Sequence, residues 1–163
     1  MKKYIYILLT ILVVFIVYTF LGRISPEIPV ALNLFTIMVV YLAVLDGEVM
    51  GAVFGAVCGL IQDSFSLGVF GVAGIATTLM GYLAGFISRK IYVISFFKIF
   101  LFIFTMSSFQ LIVWKLIHSF VFSEPVFSES HVILSQPFFN ALVGSALFPF
   151  FRKIFQSVSS DSL

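Results

Sequence analysis

Charge is what this sequence has least of. Asp, Glu, Lys and Arg together make up 10% of its 163 residues, while hydrophobic residues make up 61%; a soluble domain is about 25% charged. That excess of apolar surface excludes a water-soluble fold. The net charge of +2 is small and scattered, without the basic stripe on one face that nucleic-acid binding requires, so no nucleic-acid partner is expected. The single cysteine, Cys58, excludes an intramolecular disulfide and any Cys/His metal cluster. The only histidines, His118 and His131, accompany no Ser-His-Asp set, and no pair of carboxylates faces a cleft. The stretch Gly68-Val69-Phe70-Gly71-Val72-Ala73-Gly74 has glycines but lacks the lysine and Ser/Thr of a phosphate-binding loop. No catalytic residue, metal site or cofactor is expected, and the chain reads as a non-enzyme.

What is present is apolar helix. A helix needs about 20 apolar residues to cross ~30 Å of hydrocarbon. The expected architecture is therefore all-α: a polytopic membrane protein with one transmembrane helical domain over residues 1–163 and spans at about 4–21, 30–45, 49–62, 69–88, 95–122 and 131–151. Lys2 and Lys3 ahead of the first apolar run imitate the start of a secretory signal. The run is too long for one, and its exit, Thr19 to Arg23, lacks a small-x-small cleavage site, so it reads as a retained span. Arg23 to Pro29 then forms a turn. Asp46-Gly47-Glu48 ends the second span because carboxylates are costly in hydrocarbon. The third span is short and glycine-rich, read as a packed crossing rather than a re-entrant loop.

Short loops rich in Lys and Arg stay cytoplasmic. Six crossings place Lys2-Lys3, Arg89-Lys90 and Arg152-Lys153 on one side, and Arg23, Glu27, Glu124 and Glu129 on the other. Both termini are therefore expected in the cytoplasm. Lys98 and Lys115 read as snorkelling to the headgroups and His118 as an interface residue. Gln110 and Asn140 read as interhelical hydrogen-bonding groups, and Cys58 as a small packing residue.

The glycines carry the pattern. Gly47, Gly51, Gly55 and Gly59 follow a stride of four, and the next step is Asp63. Such a series forms one stripe along a helix, and small residues there let another backbone approach closely, the main source of helix packing in lipid. Gly74, Thr78, Gly81 and Gly85 repeat the device in the fourth span. The two segments are expected to pack as a tight hairpin forming the core of the bundle. Asp63, at the end of one helix beside the start of the next, reads either as a cap or turn-former or as a polar site for a partner.

The stretch Gly51 to Asp63, GAVFGAVCGLIQD, followed by Leu67-Gly68 and by Gly74 through Gly81-Tyr82, resembles the signature of the MreD family of bacterial rod shape-determining membrane proteins. The resemblance covers about Asp46 to Lys90 in detail and the rest by hydropathy and topology. It implies a non-catalytic subunit of the lateral peptidoglycan elongation machinery, the elongasome, in the bacterial inner membrane. The implied partners are MreC, MreB, the RodA glycosyltransferase and a class B penicillin-binding transpeptidase, besides membrane lipid. The family is also similar in fold to the substrate-binding S-components of energy-coupling-factor vitamin transporters, which supplies an alternative function. In the scaffold reading, Gly51, Gly55, Gly59, Asp63, Gly68, Gly74 and Gly81 form a packing or partner-binding platform, and a small-residue groove or apolar face receives the transmembrane helix of MreC.

Overall fold

A computed structural model describes residues 2–25, 28, 31–65, 70–90, 95–122 and 130–160. Among these residues the chain forms six helices and no strand: α1 (Lys2–Ile24), α2 (Leu34–Asp46), α3 (Glu48–Phe65), α4 (Val72–Ser88), α5 (Phe96–Phe122) and α6 (Ser130–Ser160). They fall on the six expected apolar segments. Three are long and apolar enough to cross a membrane, through Ile7–Ile24, Glu48–Phe65 and Phe96–Val121, while α2 and α4 are shorter apolar helices. In α6, Pro137 and Pro149 each remove one backbone donor, which membrane helices tolerate when neighbours satisfy the freed carbonyls.

The most enclosed element is α2, not the glycine hairpin. Its nine consecutive residues Phe35 to Ala43 are all buried. At 13 residues it spans about 20 Å, too short for a bilayer by itself, and its neighbours rather than lipid surround it. Hydropathy alone cannot separate these environments, since lipid tails are as apolar as leucine. The helix begins at Leu34, where Asn33 caps it: the Asn33 side chain accepts the Thr36 N–H at 3.2 Å. It ends at Gly47, whose φ of +88° an L side chain would resist. The Gly47 N–H donates to Ala43 O, and Gly47 O accepts from Gly51, both at 2.9 Å, so one glycine joins α2 to α3.

Around α2 the rings interlock. Tyr18 of α1 tilts against Phe35 at 5.0 Å between centroids, and Tyr41 meets Phe148 at 5.5 Å and Phe151 at 4.9 Å on α6. The Tyr41 hydroxyl donates to the Gly144 carbonyl. Helices α5 and α6 pack antiparallel, with Ile103 against Gly144 and Ser107 hydrogen-bonded to Asn140. The outer faces are apolar: Leu8, Leu12, Ile16 and Phe20 of α1 and Leu101, Ile112, Leu116 and Phe120 of α5 are exposed, a composition suited to acyl chains.

Candidate functional site

Helices α3 and α4 pair through glycine. The two backbones meet in antiparallel register, Gly51 against Gly81, Gly55 against Thr77, Gly59 against Gly74, and Gly47-Glu48 against Gly85. A methyl group on Gly51 would run into the Gly81 carbonyl and lie 2.7 Å from Ala43 Cβ. On Gly55 it would strike the Thr77 backbone, 2.8 Å from the carbonyl carbon, and on Gly85 it would sit 2.5 Å from Glu48 Cα. Since apolar side chains gain nothing by leaving lipid for protein, such close backbone packing is what holds membrane helices together. The Thr77 hydroxyl, fully buried, lies 2.7 Å from the Gly55 carbonyl and 2.6 Å from that of Ala73, adding a polar tie across the seam.

Both ends of the hairpin are fastened. Asp63, 4% exposed, ends the glycine stripe of α3. Its carboxylate accepts the N–H groups of Gly71 at 2.9 Å, Ala73 at 3.0 Å and Gly74 at 2.9 Å. These are donors that the start of a helix leaves without intrahelical partners, and a negative charge there is favoured by the helix dipole. Gly71 reaches its place with φ +101°, which is accessible to glycine at no steric cost. At the opposite end, Arg89 just after α4 donates to Glu48 at the start of α3 at 2.8 Å.

A second polar cluster sits inside the bundle. The Asn140 side chain of α6 accepts the Asn33 N–H at 2.8 Å and donates to Ser107 of α5 at 3.3 Å. Thr36 of α2 donates to Gln110 of α5 at 3.4 Å. All five side chains are buried. Their polar atoms answer one another across three helices, which in lipid specifies a unique arrangement.

The family model described as rod shape-determining protein MreD matches residues 1–158. The chain belongs to the MreD family. Membership makes it a rod shape-determining membrane protein. No curated protein and no solved structure matches the chain, so the likeness to the S-component fold is carried by family resemblance alone.

In this MreD chain, Gly51, Gly55, Gly59, Gly74 and Gly81 all lie buried along the α3–α4 seam, with Asp63 at its end; Gly68 lies outside the described residues, as do Glu27, Glu124 and Glu129. These five glycines are closed off by the opposite helix, so they leave no open small-residue groove between them for another chain. Thr77, rather than Thr78, crosses the seam, since the Thr78 hydroxyl turns back to Gly74 O at 2.6 Å within its own helix. Lys98 is exposed, and His118 stacks on Trp114 at 5.0 Å. Sequence reasoning missed Thr77, Asn33, Thr36 and Ser107. Asn33 was legible as a cap-type residue directly before an apolar run, and Thr77 as one helical turn from both Gly74 and Gly81.

Proposed function

We propose that this protein is a non-catalytic scaffold of the bacterial cell-wall elongation complex, embedded as a multi-pass protein in the cytoplasmic (inner) membrane with both termini in the cytoplasm. It docks the transmembrane helix of MreC and works with MreB, RodA and the class B penicillin-binding transpeptidase. One observation carries the reading: the hairpin spends its glycines on itself and presents a stiff apolar ridge outward. Val49, Val53, Val57 and Leu60 of α3 are all exposed, as are Ile75, Leu79, Tyr82 and Phe86 of α4. A face whose backbone is locked loses little entropy on receiving a partner helix. The buried polar groups Asn33, Thr36, Ser107, Gln110 and Asn140 bond to one another instead of pointing into an open cleft, which favours a frame over a carrier of a polar vitamin.

Affinity purification from native membranes tests this. MreC should co-purify with the unaltered chain and be lost with the pair Val53→Trp and Val57→Trp, which changes only exposed positions. Undiminished recovery of MreC by the double variant would remove the ridge from consideration. A preparation free of MreC that retains a tightly bound vitamin would replace the scaffold by the carrier.

A further inference from the structure

Between the start of α5 and the second half of α6 lies a cleft of about 360 Å³, within the ~300–1,000 Å³ range of ligand sites. Phe96, Ile99, Phe148 and Pro149 give it apolar walls, and Arg152 and Lys153 line it as well. Two features point to an anion there, and a third to a ligand that is not polar throughout. Arg152 and Lys153 make no ion pair among the described residues, whereas Arg89, elsewhere on the chain, is matched by Glu48. The first turn of α5 contains no acidic residue and does contain the exposed Lys98, so its backbone donors and dipole also favour negative charge. The Ser145 hydroxyl in the cleft is turned to the Leu142 carbonyl at 3.1 Å, so the walls offer little to a ligand that is polar throughout.

We infer that this cleft binds one anionic phospholipid, with the phosphate held by Arg152 and Lys153 and part of an acyl chain lying between Phe96, Ile99, Phe148 and Pro149. The guanidinium matches a phosphate with two parallel donors, and basic pockets between membrane helices favour anionic headgroups. Only an amphiphile satisfies both parts of the lining, because inorganic phosphate leaves the aromatic walls empty and a zwitterionic lipid sets its own cation against the arginine. The site depends on the chain lying in a bilayer but not on the docking of MreC, and binding to the isolated protein separates the two.

The test uses the full chain purified in detergent, with native mass spectrometry and thermal melting in the presence of phosphatidylglycerol, phosphatidylcholine or inorganic phosphate. Phosphatidylglycerol should be retained as one tight adduct and raise the melting temperature. The pair Arg152→Gln and Lys153→Gln should weaken that binding about thirtyfold, the expected order for losing two headgroup cations, while Lys90→Gln should leave it unchanged. Equal retention of phosphatidylcholine, equal stabilisation by inorganic phosphate, or undiminished binding by the double variant would each overturn the assignment. Selectivity among the lipids on the unaltered protein decides the matter even if the double variant folds poorly.

Discussion

The Asp63 carboxylate receives the N–H of Gly74 at 2.9 Å, binding the last turn of α3 to the first turn of α4 across eleven positions of chain. With Gly71 and Ala73 donating to the same side chain, one buried charge completes the end of a helix to which it does not belong. The stride that delivers Gly51, Gly55 and Gly59 to the seam also delivers Asp63 to this position, because each step of four returns nearly to the same face.

Replacing Asp63 separates shape from hydrogen bonding. Leu would leave the buried N–H groups of Ala73 and Gly74, and the part-buried one of Gly71, without their acceptor, at about 1–3 kcal/mol per buried unsatisfied group. Asp63→Leu should therefore fail to accumulate in membranes or melt far below the parent. Asp63→Asn keeps one carbonyl acceptor and loses the charge, so it should fall between. Thermal melting in detergent and membrane abundance measure both, and a Leu variant as stable as the parent would show that the cap contributes nothing.

The glycines are not equivalent. At Gly55 an added methyl strikes the Thr77 backbone, which cannot swing aside, and overpacking of this kind costs about 1–3 kcal/mol. At Gly74 the same methyl meets only the Leu60 side chain at 3.3 Å and Asp63 Oδ2 at 3.6 Å. The end of a leucine can yield, and alanine gains helix propensity over glycine of up to ~1 kcal/mol. Gly55→Ala should lower the melting temperature clearly, and Gly74→Ala should leave it within a few degrees. Equal losses at both positions would contradict the observed packing.

This contrast shows what could be read from the chain and what could not. The six helices and the seam follow from local signals: apolar runs of the right length, glycines at a stride of four, and an acidic residue ending the stripe. Which helix lies at the centre was not legible, because Phe35 to Ala43 reads the same whether lipid or protein surrounds it. Nor does spacing reveal that Asn140 meets Asn33 and Ser107, since those partners lie 107 and 33 positions away and are brought together only by the packing of α2, α5 and α6. Gly74 and Gly55 look alike in sequence; only the opposite surface, side chain in one case and backbone in the other, tells them apart.

Asn140 gives a third test. It is fully buried, and its side chain both accepts from the Asn33 backbone and donates to Ser107. Asn140→Leu removes that acceptor and leaves the Asn33 N–H at the start of α2 unpaired, for a loss of about 1–3 kcal/mol. Asn140→Asp keeps an oxygen for Asn33 but buries a charge, which costs more unless it is neutralised. The order of melting temperatures should be parent, then Leu, then Asp at neutral pH, with the Asp variant recovering as pH falls and its carboxylate protonates. An Asp variant insensitive to pH would argue that water reaches this cluster.

The last expectation concerns sidedness, for which the cysteine content is convenient. Cys58 is fully buried, so replacing it with Ser leaves a chain without thiols, onto which single reporters can be placed. Ser64, exposed near the end of α3, and Lys153, exposed near the end of α6, lie on opposite sides if every helix crosses. An even number of crossings puts Lys153 with Lys2 and Lys3, and retention of Lys- and Arg-rich ends in the cytoplasm assigns that side to the interior. In the Cys58→Ser background, Ser64→Cys should react with a membrane-impermeant maleimide added to intact spheroplasts, and Lys153→Cys only after the membrane is opened. Labelling of both from outside would mean that a helix after Ser64 fails to cross, and since α3 is locked to α4 from Gly47 through Gly85, the failure would have to be sought in α5 or α6; labelling of Lys153→Cys alone would mean that all six helices cross in the opposite orientation.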